Sequence, residues 1–176
     1  KLQTLKDHPV TQAYRNFGNP MMVDVLNKAG GFPSRYWSTG SVEHAGNINA
    51  QSIKTNCKPK PKACRTCFLA CAKSVVVQHG RHRGLALEGP EYETIYAFGG
   101  LCMIDRIEEI VYLNDLCDRM GLDTMTAGNI VAFAIEASRR DKIDYAIDYN
   151  QPDRVAALLG KIVLRQDVGG LLAEGI

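Results

Sequence analysis

Asp105-Arg106-Ile107-Glu108-Glu109-Ile110-Val111-Tyr112-Leu113-Asn114-Asp115-Leu116-Cys117-Asp118-Arg119-Met120-Gly121 reads as one amphipathic helix. With Ile104 before it, Ile107, Ile110, Val111, Leu113 and Cys117 form a broad apolar stripe at helical spacing. Asp105 stands where an N-cap would, and Glu108 three residues on would close a capping box. Gly121 ends the helix as a C′ glycine does. A second helix follows from about Thr124 to Arg139. It is apolar nearly all round through Ile130, Val131, Phe133, Ala134 and Ile135, so it belongs in the centre of the fold. A third starts at Pro152 and carries Val155, Leu158, Leu159, Ile162 and Val163. After Gly169-Gly170 another helix begins. The second half of the chain is therefore all-α.

Working back from there, the first half is loop-rich with helical pieces. Residues 1–18 read as irregular, because His8 precedes Pro9 and the residue before proline avoids the helical region. Asn19-Pro20 is placed to cap and start a short helix through Leu26, which Gly30-Gly31 ends. Residues 32–46 read as loop and hold the single tryptophan, Trp37. A brief helix is expected from Asn49 to about Lys54. The run Cys57-Lys58-Pro59-Lys60-Pro61-Lys62 is extended and basic. Ser74-Val75-Val76-Val77 and Leu85-Ala86-Leu87 are placed to pair as a small hairpin across residues 79–84. From Glu91 the pattern turns helical, with Ile95, Phe98 and Leu101 in phase and Gly99-Gly100 breaking it. The expected fold class is mainly α: an irregular helical domain with a loop-rich N-terminal part and one short β-hairpin.

With 176 residues, the chain fits one domain able to bury a core. It is 45% hydrophobic and 23% charged, with a net charge of +2, which argues against a general nucleic-acid or membrane surface. No secretory leader opens it and no apolar stretch has membrane length. Six cysteines without such a leader point to a reducing cytoplasm, where clustered thiols more often bind metal than pair. The start at Lys1 suggests a piece of something larger.

Three groups carry chemistry. The first is Ala63-Cys64-Arg65-Thr66-Cys67-Phe68-Leu69-Ala70-Cys71, a C-x-x-C-x-x-x-C run. Thiolates so spaced can converge on one metal cluster from a loop running into a helical turn, with Cys67 and Cys71 on one helix face. A structural zinc site usually shows a second C-x-x-C, which this chain lacks. The bland alternative is three small core cysteines. Three thiolates are one short of four. Cys117 and Cys102 read as core, Cys57 would have to fold back across two prolines, and otherwise the fourth ligand lies outside the chain.

The second group, Glu88-Gly89-Pro90-Glu91-Tyr92-Glu93-Thr94, concentrates three carboxylates at a helix start. First turns favour acidic residues through the helix dipole, which is explanation enough. A catalytic role would require one carboxyl to be buried with a raised pKa. The third group is Asp118-Arg119-Met120-Gly121-Leu122-Asp123-Thr124. Asp118 stands in the last turn of its helix, where the dipole disfavours an anion. It is suited to accept hydrogen bonds from ligand N–H groups, alongside free carbonyls of the helix end. Asp123 is explained as the cap of the next helix. His8, His44, His79 and His82 fall in loops with no metal pattern, and His79 and His82, set among arginines, read as solvated surface. The lysines around residues 54–62, with Arg65, read as a solvated face or a docking surface for an acidic electron-transfer partner.

Taken in order, the three groups resemble the tungsten- and molybdenum-dependent aldehyde ferredoxin oxidoreductases. His8-Pro9-Val10-Thr11 and Gly169-Gly170-Leu171-Leu172-Ala173-Glu174-Gly175 are softer matches, so the similarity runs the length of the chain. The resemblance implies a multidomain oxidoreductase in which an N-terminal domain covers one side of a tungsten (or molybdenum) bis-pterin and two helical domains embrace the other. Residues 1–176 look like the first helical domain alone. The resemblance further implies that Cys64, Cys67 and Cys71 ligate a [4Fe-4S] cluster, the fourth cysteine coming from the following domain. It implies that Asp118, Gly121, Leu122 and Asp123 match a pterin-contacting D-x-x-G-L-D motif. Glu91 or Glu93 is the candidate active-site carboxylate. The implied partners are the missing domains of the same chain, an aldehyde and ferredoxin, and the chain by itself is expected to be inactive and to hold neither cofactor stably. A non-enzymatic iron–sulfur electron-transfer domain and a structural zinc module are the alternatives.

Overall fold

The computed structural model describes residues 1–176. In chain order the elements are α1 (Leu2–Lys6), α2 (Pro9–Phe17), a 3-10 turn (Asn19–Met21), α3 (Met22–Ala29), α4 (Ala45–Ile48), α5 (Ala50–Asn56), β1 (Lys60–Lys62), β2 (Ala72–Val76), β3 (Ala86–Glu88), α6 (Tyr92–Thr94), a π-helical continuation (Ile95–Leu101), α7 (Ile107–Met120), α8 (Thr124–Arg139), α9 (Pro152–Leu164) and α10 (Val168–Leu172). The protein is mainly α with one small sheet, as the patterning implies.

The core lies where α7, α8, α9 and the π-helical segment meet. Ile107, Ile110, Val111, Leu113, Leu116 and Cys117 of α7 are buried, so the apolar stripe is the packed face. They face Ile130, Val131, Ala134 and Ile135 of α8, and Val155, Leu158, Leu159 and Ile162 of α9. Truncating a fully buried leucine such as Leu158 to alanine would cost about 2–5 kcal/mol. Helix α8 spans the expected residues and is capped by Asp123, whose carboxylate accepts from the Thr126 amide at 2.7 Å. Gly121 ends α7 in the left-handed region.

Four local expectations are corrected. Residues 1–18 are not irregular. Pro9 takes the first helical position of α2, where its missing N–H costs nothing, and His8 caps the helix by accepting from the Val10 amide at 3.3 Å. The capping box at Asp105 does not form: α7 begins at Ile107, with Arg106 at the N-cap and no side-chain cap. Gly99-Gly100 does not break the helix but lies inside the π-helical turn. There the backbone packs against the loop after α3, and a Cβ on Gly100 would lie 2.1 Å from the Pro33 carbonyl oxygen. Finally, α4 precedes α5, so the expected loop of residues 32–46 ends earlier.

The sheet has order β1-β2-β3 and is antiparallel throughout. Ser74 faces Lys60 on one side and Glu88 on the other, and Val75 faces Leu87. The hairpin is therefore as expected, and the basic run supplies a third strand. Alternation along β2 sends Lys73 and Val75 inward and Ser74 and Val76 outward.

Candidate functional site

The cysteine run connects β1 to β2. It is an irregular loop, not a loop entering a helix, so Cys67 and Cys71 do not share a helix face. The Cys67 amide donates to the Cys64 carbonyl at 3.0 Å, and Thr66 and Ala70 adopt positive φ, which coils the loop tightly. Cys64 and Cys67 are exposed and Cys71 is half-buried, all as free thiols. The small-core-residue alternative is thus not what the fold does with them. It is what the fold does with Cys57, Cys102 and Cys117, which are buried. Burial pushes the Cys57 and Cys117 thiols up to about 12, so neither is poised as a thiolate. No three Cys, His, Asp or Glu side chains are arranged around a single ion position.

Behind this loop lies Lys73, buried at 3% exposure. Its carbonyl accepts the Gly89 amide at 2.8 Å, which joins the cysteine loop to the acidic turn. Gly89 in turn lies against Asn114, and a Cβ added to it would sit 3.0 Å from the Asn114 Oδ1. Asn114 is itself buried in α7 and donates to the Asp118 carboxylate at 2.8 Å. A second link runs beside the first. The hydroxyls of Thr94 and Thr124 lie 2.9 Å apart, bridging α6 to the start of α8. The three groups, far apart in sequence, are therefore neighbours in the fold.

Within the acidic turn the two candidate carboxylates differ. Glu93 accepts from the Asn19 side-chain amide at 3.1 Å, and Asn19 Oδ1 accepts the Tyr92 amide at 2.8 Å. Asn19 thus serves the start of α6 from a distance rather than capping its own turn. Glu91 is half-buried, and burial followed by the negative charge of Glu93 raises its pKa, against the pull of Lys73. Burial first, then the charges of Glu93 and Asp123, push the Tyr96 phenol up. Tyr96 packs on Tyr92 with ring centres 5.5 Å apart and on exposed Trp37 at 6.4 Å, which makes an aromatic wall beside the acidic turn. Sequence reading left Trp37 in a loop without a role; its indole N–H donates to Asn129 Oδ1 at 2.8 Å.

At the end of α7, Asp118 is exposed. Burial of part of the carboxyl raises its pKa, the Asn114 hydrogen bond opposes this, and Asp115 adds to it. The Cys117 and Asp118 carbonyls are taken by the Leu122 and Gly121 amides, so they are not the free acceptors expected at a helix end. Leu122 is half-buried over an apolar pocket of about 180 Å³ that Gly121, Asp123, Ala127, Ile130, Leu159 and Ile162 also line. Asp123 is exposed and committed to capping α8.

A separate cluster sits at the hairpin end. Glu109, at 1% exposure, receives Arg81 at 2.6 and 2.9 Å and lies 3.0 Å from His82 Nε2 and 3.4 Å from Arg106. His82 stacks on Tyr112 with ring centres 4.3 Å apart, so it is not the solvated loop residue expected.

The fold is thus a mainly helical domain that brings exposed thiols, an acidic turn and a helix-end aspartate together. The chain belongs to the family described as "Aldehyde ferredoxin oxidoreductase, domains 2 & 3", whose model matches residues 1–176. It is 29% identical over 183 residues to the tungsten-containing aldehyde ferredoxin oxidoreductase of Thermococcus kodakarensis, covering 99% of this chain and 30% of that protein. The corresponding enzyme of Pyrococcus furiosus is 28% identical over 187 residues, with 99% and 30% covered. The chain thus spans about 30% of the length of these relatives. Among solved structures, the active-site complex BamBC of benzoyl coenzyme A reductase with 1,5-dienoyl-CoA superposes with a TM-score of 0.61 at 18% identity. That match covers 98% of this chain and 24% of the other and speaks for the shared fold. No helix is long and apolar enough to cross a membrane.

Proposed function

We propose that the full-length protein oxidises aldehydes to carboxylic acids and passes the electrons to ferredoxin. In this reading residues 1–176 supply one side of a tungsten (or molybdenum) bis-pterin site and three ligands of a [4Fe-4S] cluster. The observation that carries it is the continuous contact from Cys71 through Lys73, Gly89 and Asn114 to Asp118. It sets the candidate cluster loop, the acidic turn and the candidate pterin motif side by side.

The residues suit the groups proposed for them. Cys64, Cys67 and Cys71 are unpaired and reachable from outside, and each thiolate of a [4Fe-4S] cluster binds a different iron, so they need not meet at one point. Asp118 offers an exposed acceptor carboxylate to the amine and amide edges of a pterin. Gly121 leaves room beside it, Leu122 offers an apolar contact, and Asp123 holds the turn by capping α8. When bound, the metal would supply the two-electron oxidation in which an aldehyde and water become a carboxylic acid. Either Glu91 or Glu93 would take or give a proton beside it. Glu91 is favoured because burial, then the charge of Glu93, raise its pKa. The Tyr92–Tyr96–Trp37 wall would bound the substrate side. Exposed Lys58 and Lys60 beside the cysteine loop would favour an acidic ferredoxin.

Metal and sulfide analysis of the full-length protein with Cys67→Ser tests this. Wild type should contain iron and acid-labile sulfide with visible absorbance, and the variant should lose iron and that absorbance. Unchanged iron content would overturn the ligand assignment. Zinc without sulfide would favour the structural-zinc alternative.

A further inference from the structure

Lys73 is the only cation among the buried side chains, and it makes no ion pair. Its ammonium instead sits in a cage of four backbone carbonyls: Cys71 at 2.7 Å, Tyr14 at 3.1 Å, Ala70 at 3.2 Å and Ala72 at 3.3 Å. Three of these close the cysteine loop, and the fourth belongs to α2. Gly18, at φ +70°, completes the cage. A Cβ there would lie 2.7 Å from the Cys71 carbonyl oxygen and 3.3 Å from the Lys73 Nζ. Helix α2 touches the loop a second time, through Arg15 to the Phe68 carbonyl at 3.5 Å.

A buried charge is expensive, and neutral donors would satisfy carbonyls as well. What the charge adds is a field. It lies behind Cys71 in a poorly screened interior, where its effect on a neighbouring anion far exceeds that of a solvated lysine. Net charge around an iron–sulfur cluster is one of the main determinants of its potential. Adding an electron to the cluster adds negative charge, so a fixed cation stabilises the reduced form more than the oxidised one.

We propose that Lys73 is a positioning residue for the cysteine loop: caged under Cys71, it fixes that backbone and raises the reduction potential of the cluster the loop holds. This rests on the assignment of Cys64, Cys67 and Cys71 as cluster ligands.

The test uses the full-length protein with Lys73→Met, Lys73→Gln and Lys73→Arg, read by iron and sulfide content and by a redox titration followed by electron paramagnetic resonance. Lys73→Met and Lys73→Gln should keep iron while the reduction equilibrium shifts about tenfold toward the oxidised cluster, about 59 mV for a one-electron couple. Lys73→Arg should stay near the wild-type potential. A potential unmoved in the neutral variants overturns the proposal. So does an equal shift in all three, or failure of both neutral variants to fold while Lys73→Arg folds, since either leaves Lys73 a packing element alone. Absence of iron and sulfide from the wild type would instead refute the cluster assignment itself.

Discussion

The Thr94 hydroxyl lies 2.9 Å from the Thr124 hydroxyl, which pins the acidic turn to the start of α8. Thr94 is buried at 4% exposure, so its oxygen has little access to water once its partner is gone. Thr124→Val should destabilise the protein by about 1–3 kcal/mol, the cost of an unsatisfied buried group. The double variant with Thr94→Val should cost less than the two single changes summed, because neither hydroxyl is then left alone. Urea unfolding of the four proteins measures the coupling. Strict additivity would mean that the two hydroxyls do not interact.

Glu91 gives a pH dependence with a definite sign. Burial, then the Glu93 charge, raise its folded pKa above the unfolded value. The folded state therefore binds the proton more tightly, and ionised Glu91 works against folding. Its contribution to stability is highest below the unfolded pKa of about 4.3 and declines as pH rises through the raised folded pKa. Glu91→Gln should flatten that decline and leave the protein at least as stable near neutrality. Unfolding free energies across a pH series, wild type against variant, decide it. Parallel curves would remove Glu91 as the group with the raised pKa.

The helices of the second half were legible because their periodicity is strong and their caps are local. Asp123 and Gly121 act within three residues of themselves, as sequence spacing assumes. Two of the misread features depend on distant partners. Asn19 looks like a local cap but serves Tyr92 and Glu93. Asp105 has capping-box spacing, yet the helix starts later, and Glu109 of its first turn is drawn to Arg81 and His82 across the hairpin. Lys73 was overlooked because lysine is expected in water. The signal was present: Lys73, Val75 and Val77 alternate, and all three face inward. The chemistry-bearing groups were visible one by one, but no local pattern could tell that they are neighbours.

Glu109 tests the hairpin-end cluster. Burial alone would push its carboxyl up, but hydrogen bonds from Arg81 and His82 outweigh this and hold it below its usual value. Its stabilising contribution is therefore present above the unfolded pKa and lost as pH falls through the folded one. Glu109→Ala leaves His82 and two arginines facing an empty site. It should cost about 1–3 kcal/mol, the range for hydrogen bonds to a charged group, because Arg81 and Arg106 stay half-exposed and Arg81 keeps Asp153, so no buried charge is left alone. Thermal and urea unfolding at neutral pH measure the loss. A change below about 1 kcal/mol would show that the ion cluster is no stronger than a surface pair.

Asp118 separates binding from stability. It stands at the C-terminal end of α7, where the dipole makes an anion unfavourable by roughly 0.3–1 kcal/mol. Partial burial and Asp115 raise its pKa further, so its ionised form weakens the fold as pH rises through that value. Asp118→Asn removes the charge but keeps an oxygen able to accept the Asn114 amide. The variant should be as stable as wild type near pH 7, or slightly more so, and its stability should vary less with pH in the acid range. If Asp118 is a pterin contact, the full-length variant should nevertheless lose cofactor, because an amide donates where the carboxylate accepted and forfeits the charge-assisted bond. Unfolding of the variant and analysis of tungsten or molybdenum together with released pterin give the two readouts. Reduced stability with full cofactor content would assign Asp118 to the fold and remove it from the site.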